Sequence, residues 1–204
     1  MTGARLHTNL IDQAQRQGDA IAFRCGRETL AYGELDERSS RLAAALTESG
    51  VRRGERVAIR LAPGVHSPIA VYGILKAGAA MVPIDPMAPP SRVAQLVREG
   101  SIGHLVTSGI DEVTCDCLGE SPLTTVVGCT GSDPKLRFIS WEEVDAHDSS
   151  VASGISDTDA AYVIFTSGST GVPKGIVHTH QSGQAYARLS TETYGVRPGD
   201  RIAN

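Results

Sequence analysis

The sequence predicts an α/β protein, a mostly parallel sheet with flanking helices. Between residues 56 and 107, short apolar runs alternate with helical segments in the order strand, helix, strand, helix, strand. The core this implies is aliphatic, because 41% of the chain is hydrophobic and only 4% aromatic. A length of 204 residues is enough to bury such a core.

After a short leader, residues 21–25 and 29–32 read as two strands around the Cys25-Gly26-Arg27 turn. The helix that follows carries Leu35, Leu42, Ala43 and Leu46 on one face and ends at Gly50. Residues 56–61 form a strand, and 67–77 a nearly all-apolar helix that stops at Gly78. Residues 80–84 form another strand, closed by Asp85-Pro86 and a proline-rich turn. An amphipathic helix over 91–99, with Ser91 as N-cap, leads to a strand over 104–107. From 109 to 158 the pattern weakens to one strand at 124–127 among peripheral connections. Order returns with a strand of four to six residues after Asp159, a Gly/Ser/Thr loop, a strand-like Gly175–His180 run and a helix from about 181 to 194. Pro198-Gly199-Asp200 is a turn, and 201–203 reads as the opening of a further strand.

A net charge of −4 argues against non-specific nucleic-acid binding, which needs a basic surface. No run approaches the roughly 18–20 apolar residues of a membrane span, and the polar start lacks a signal-peptide core. The expectation is a soluble cytoplasmic protein with neither nucleic-acid nor membrane partner. Cys115 and Cys117 are too close together for the usual zinc spacing, and no second pair follows, so the four cysteines read as free thiols.

The segment that carries chemistry runs from Phe165 to Gly175. Directly after an apolar strand it offers four hydroxyls (Thr166, Ser167, Ser169, Thr170), three glycines (Gly168, Gly171, Gly175) and Lys174. Glycines let the backbone approach a ligand so that several N–H groups converge on one anion. Lysine adds a mobile point charge suited to phosphate. The segment reads as a polyphosphate cradle. It is not a Walker loop, because Pro173 falls where the second glycine is required and Gly175 follows the lysine.

Other candidates take structural readings. Lys76 reads as a helix-end lysine complementing the helix dipole, and Asp85 as a turn residue. Asp36, Glu37, Arg38 and Arg41 read as a solvated helix face with i,i+4 pairing, and Trp141 as a packing anchor. His178 and His180, two apart on an expected strand, would share a face but have no third ligand nearby. No metal-ligand set is assigned.

The run FTSGSTGVPKGIVHTH resembles the signature loop of the adenylate-forming superfamily, which includes nonribosomal peptide synthetase adenylation domains, acyl-CoA synthetases and luciferases. Leu30-Ala-Tyr-Gly-Glu-Leu35 resembles the first adenylation core motif, with Ala31 where Thr or Ser is usual. Residues 75–85 resemble the second, with Met81 where an aromatic is usual. The Val82-Pro-Ile-Asp-Pro86 ending favours the peptide-synthetase branch. The three motifs span about residues 20 to 204.

The resemblance implies that residues 1–204 are the amino-terminal portion of an adenylation (AMP-binding) domain, an incomplete adenylate-forming fold. It implies ATP and Mg²⁺, a carboxylic or amino acid converted to an acyl-adenylate, and transfer to a carrier-protein phosphopantetheine thiol. Thr166, Ser167, Gly168, Ser169, Thr170 and Gly171 would wrap the β- and γ-phosphates, with Lys174 and Gly175 beside them. The family's substrate pocket, ribose-binding aspartate and catalytic lysine have no counterpart in these residues. The chain alone is therefore expected to be inactive, with no complete catalytic set. Three alternatives stay open: half of a split enzyme with a complementing carboxy-terminal chain, a non-catalytic binding module, and an acyl-CoA synthetase-type ligase.

Overall fold

The computed structural model describes residues 5–119, 121–149, 152–166 and 173–203. The elements in chain order are α1 (Thr8–Gln17), β1 (Ile21–Cys25), β2 (Glu28–Ala31), α2 (Tyr32–Glu48), β3 (Arg56–Arg60), α3 (His66–Lys76), β4 (Ala80–Pro83) and α4 (Pro90–Glu99). There follow β5 (His104–Thr107), α5 (Glu112–Leu118), β6 (Thr125–Val127), β7 (Arg137–Ile139), α6 (Trp141–Ala146), β8 (Ala160–Thr166), β9 (Lys174–Thr179) and α7 (His180–Tyr194).

Seven strands form one sheet in the order β7-β6-β5-β3-β4-β8-β9. Every pair is parallel except the last, where β9 runs antiparallel to β8. The expected mostly parallel sheet is thus present, with β1 and β2 as a separate antiparallel hairpin.

Strand alternation divides the interior into two cores. Val57, Ile59, Val106 and Val127 face one way, toward Leu42 and Leu46 of α2 and Ile69 and Ile74 of α3. Ala58, Leu105, Val126 and Val163 face the other way, toward Val93 and Val97 of α4 and Leu118 of α5. Because successive side chains point to opposite faces, each half of an apolar strand finds a helix layer.

Four expectations at element level need correction. The leader contains α1, whose only buried hydrophobic residue is Leu10, too sparse a pattern to announce a helix. Residues 109–158 are not merely connections: α5, β7 and α6 lie there, and β6 and β7 extend the sheet. Ser91 is not the cap of α4, since Pro89 holds the extended N-cap position and Pro90 the first helical one, where a missing N–H costs nothing. Residues 201–203 enter no ladder.

Lys76 also differs from its expected role. Its α-carbon lies in the last turn of α3, but its side chain is fully buried and crosses to α2 instead of reaching solvent. Nζ donates toward Asp36 O and Oδ1, both at 2.6 Å, and toward Ser39 Oγ and Ser40 Oγ at 2.8 and 2.9 Å. Burial pushes its pKa down, and the hydrogen bond and charge of Asp36 oppose that.

The α2 face is likewise more than a solvated surface. Arg41 makes the expected i,i+4 pair with Glu37. Arg38, however, grips Asp145 of α6 through Nε and one terminal nitrogen, each at 3.2 Å, and Arg41 donates to Asp145 O. Trp141 packs against the α2–α3 core and stacks on His66 at 4.3 Å.

Candidate functional site

The site grows from the β8–β9 hairpin. Ala161 and Val163 are buried in β8, while β9 is exposed over most of its length and forms the edge of the sheet. The register pairs Tyr162 with His178, Ile164 with Ile176 and Thr166 with Lys174 on one face. On the other it pairs Val163 with Val177 and Phe165 with Gly175. Tyr162 and His178 stack at 4.6 Å with nearly parallel rings, as a directly opposed cross-strand pair can.

Of the eight expected site residues, Thr166, Lys174 and Gly175 come together at the mouth of this hairpin. Thr166 and Lys174 are exposed cross-strand partners, and Thr166 Oγ1 lies 3.4 Å from Lys174 O. Ser167, Gly168, Ser169, Thr170 and Gly171 lie outside the described residues. Gly175 has a steric reason to be glycine. A β-carbon there would stand 3.0 Å from Val163 Cγ1 and 3.2 Å from Phe165 Cε1. Phe165, packed against the α4 side of the core, therefore lies across β9 and holds the two strands together at their mouth.

The loop between β8 and β9 leaves the carboxyl end of β8, which is parallel to β4. The carboxyl end of β8 therefore lies on the same edge of the sheet as Asp85, whose Oδ1 accepts from Met87 N in the turn after β4. Ligands of open α/β sheets bind outside the carboxyl ends of the strands. A cleft of about 480 Å³, lined by Arg56, His104 and Thr124 among others, lies at the opposite edge, where β3, β5 and β6 begin. None of the eight expected site residues lines it.

The two histidines part company. His178 stays on β9 against Tyr162, whereas His180 is the first residue of α7 and is buried. The expectation that both lie on one strand face fails because Thr179 caps α7, its Oγ1 accepting from Ser182 N in a capping box. Among the described residues no group of three or more His, Cys, Asp or Glu could hold a metal ion. All four cysteines are free. Among the same residues no helix is long and apolar enough to cross a membrane.

Sequence reasoning missed the Tyr162–His178 stack and the clamp of Phe165 over Gly175. Both follow from pairing β8 with β9 in the right register, and the signal was there in the two alternating runs. The contact of His180 with the amino-terminal segment had no local signal, since 174 residues separate the partners.

The profile of the AMP-binding enzyme family matches residues 10–204. The chain belongs to this family. Bacitracin synthase 1 of Bacillus licheniformis is 33% identical over 178 residues, covering 87% of this chain and 3% of the relative. Syringomycin synthase SyrB1 of Pseudomonas syringae pv. syringae is 30% identical over 97% of this chain and 30% of the relative. The chain thus spans less than a third of either protein. Among solved structures, VinN with 3-methylaspartate superposes with a TM-score of 0.80 at 26% identity, covering 98% of this chain and 54% of that one. The nonribosomal peptide synthetase FmoA3 in its AMPPNP-bound form gives 0.77 at 29% identity, over 97% of this chain and 19% of that one. The architecture is that of part of the adenylate-forming enzyme core fold.

Proposed function

We propose that this chain supplies the phosphate-binding part of a domain that activates a carboxylic or amino acid with ATP and passes it to a carrier thiol. In that reaction a carboxylate oxygen bonds to the α-phosphorus, the α–β phosphoanhydride bond breaks, and pyrophosphate leaves. The acyl group then moves from the adenylate to the sulfur of a phosphopantetheine arm, releasing AMP. The observation that carries the reading is the Thr166–Lys174 pair, which sets one exposed hydroxyl and one exposed ammonium at the two ends of the glycine-rich loop.

These residues fit an ATP polyphosphate. Gly175 and Phe165 keep the strands close at their mouth, so Thr166 Oγ1 and Lys174 Nζ can serve charge developing on the leaving pyrophosphate. Mg²⁺ would arrive with the nucleotide and would add positive charge to that of Lys174 beside the phosphates. The Val82–Pro86 segment and the likeness to the nonribosomal peptide synthetase FmoA3 support an amino acid as substrate and a carrier protein as acceptor. The AMPPNP of the FmoA3 structure supports ATP.

A second polypeptide segment is needed to complete the site. Ile176 and Val177 on the edge strand, with Tyr186, Leu189 and Tyr194 on α7, are all at least half exposed. An apolar, unpaired strand edge beside an apolar helix face suits the remainder of an adenylation domain, in the same chain or as a complementing one. ATP–pyrophosphate exchange tests the reading. The chain alone is expected to show none and the completed domain to show exchange with a preferred acid. In the completed domain, Lys174→Ala should lower exchange by about 10- to 100-fold with the fold intact. Robust exchange by the chain alone, or unchanged exchange in the variant, overturns the respective claim.

A further inference from the structure

The end of the β8–β9 hairpin opposite its loop is fastened by residues that the phosphate reading does not use. His180 is 1% exposed, and its Nδ1 accepts a hydrogen bond from Leu6 N at 3.2 Å. The backbone N–H of the same residue donates to Asp159 O, directly before β8. Two further contacts moor the amino-terminal segment: Gln184 Nε2 donates to Arg5 O at 3.1 Å, and an Arg5 terminal nitrogen to Ile155 O at 3.3 Å. Leu6 lies so close to α7 that a β-carbon on Gly183 would stand 3.0 Å from Leu6 Cδ1.

We propose that His180 is a positioning residue for the phosphate-loop hairpin, a neutral acceptor that latches the amino-terminal strap Arg5–His7 to the base of β8 and β9. The latch stands on geometry alone, while its consequence for nucleotide rests on the phosphate reading. An imidazole that accepts at Nδ1 carries its proton on Nε2. Protonating Nδ1 would set one N–H against another in a site closed to water. The bond then breaks, and the strap loses its hold on the junction where β9 becomes α7. β8 and β9 pair without a break from Tyr162 to Thr166, with a register irregularity between Ala160 and Tyr162 beside the latch, so tilt at the base is carried along the paired stretch to the Thr166–Lys174 mouth.

The charged and titratable groups around the latch set its working range. Asp159 and Asp157, before β8, favour protonation of His180, although Arg53 occupies both carboxylate oxygens of Asp159. Burial and Arg5 oppose it, and burial is the largest effect, so the pKa lies below the usual histidine value. His7 sits edge-on to His180 at 5.6 Å, itself lowered to about 4 by burial first and then by His180, Arg5 and Lys76. The latch is therefore closed at neutral pH and opens on acidification.

The variant-free test is the ¹⁵N spectrum of the histidines in the full chain at pH 7.5, with amide exchange at Leu6 followed down to pH 5. The expected results are an Nε2–H tautomer for His180 and Leu6 protection, corrected for intrinsic rate, that falls by on the order of tenfold per pH unit below the ordinary histidine value, where the open latch binds a proton at His180 and the closed one does not. An Nδ1–H tautomer or pH-independent protection of Leu6 overturns the latch. His180→Asn places an amide oxygen near the Nδ1 position without a titrating group, and should remove the His180 share of the fall in Leu6 protection, leaving the shallower fall that His7 contributes. His180→Ala should lose it throughout. Calorimetric MgATP affinity of the completed domain should weaken with falling pH more steeply in the parent than in His180→Asn. Identical pH profiles overturn the positioning role. Absence of nucleotide binding at every pH overturns it together with the phosphate reading, and the exchange data tell the two failures apart.

Discussion

Lys76 Nζ stands 2.6 Å from Asp36 Oδ1, the lysine fully buried and the carboxylate partly open to water. This contact ties the end of α3 to the start of α2 through one ammonium and four oxygens. An ammonium out of water is tolerated only with such partners, and the cost of orphaning either side is asymmetric. Removing the lysine frees Asp36 to hydrate, whereas removing the carboxylate leaves the buried cation on neutral acceptors.

Lys76→Ala should lower stability by about 3 kcal/mol, chiefly from the cavity along the lost stem, since Asp36 can hydrate. Lys76→Met keeps the stem's packing and should cost less, about 1–2 kcal/mol. Urea unfolding of the chain checks the order; equal costs for the two variants would show that packing along the stem contributes nothing.

Gly175→Ala should strain the hairpin mouth. The new β-carbon would press on Val163 and on the Phe165 ring, both within 3.2 Å. Overpacking of this kind costs about 1–3 kcal/mol. Phe165→Leu in the same chain should recover part of the loss by clearing the ring. The double-mutant cycle on unfolding midpoints measures the coupling, and strict additivity would show that the two sites do not touch.

Acid should destabilise the fold before the carboxylates titrate. His7 is lowered from 6.5 to about 4 in the folded chain, chiefly by burial. Between those values the unfolded chain binds the proton and the folded one does not, so stability falls as pH drops below about 6.5. Each such histidine contributes a slope of at most about 1.4 kcal/mol per pH unit. His66, His104 and His180 are shifted the same way, each with burial as the largest cause. His7→Leu should flatten the profile between pH 6.5 and 4 by one proton's worth; an unchanged slope would place His7 outside the linkage.

How much of this was legible in the sequence depended on the range of the interaction. The alternation of apolar runs from Arg56 to Thr107 predicted strands and helices that the structure shows within a residue or two, because burial on both faces writes a local pattern. The Gly/Ser/Thr run after β8 was legible from composition, and its flanking residues Thr166, Lys174 and Gly175 fall on paired strands. Lys76 was misread because a lysine in the last turn of a helix usually serves the dipole, and only the fold brings Asp36, Ser39 and Ser40 beneath it. The short β6 and β7 were hidden or half-hidden among Ser, Gly and Asp, since three residues are too few to display a period. His180 was placed on a strand because the capping box at Thr179 and Ser182 lacks the acidic residue that usually marks one.

Asp159 and Arg53 give a final asymmetric prediction. Arg53 Nε and one terminal nitrogen donate to the two Asp159 oxygens at 2.6 and 2.8 Å, yet the arginine side chain is half exposed. Asp159 has a second duty, since Oδ2 also accepts from Ser156 N at 2.8 Å and closes the turn that leads into β8. Its carboxyl is held below the usual range, first by the Arg53 hydrogen bond, so its contribution is present above about pH 3.8 and fades as pH falls through the folded value. Removing an exposed arginine lets water solvate the carboxylate, and Arg53→Ala should shift the unfolding midpoint little, with less effect at high salt. Asp159→Ala removes the turn's acceptor as well and orphans Ser156 N–H, so it should shift the midpoint clearly more. Asp159→Asn keeps one oxygen for Ser156 and should fall between. If Arg53→Ala matched Asp159→Ala at both low and high salt, the ion pair rather than the turn would be what holds the entry to β8.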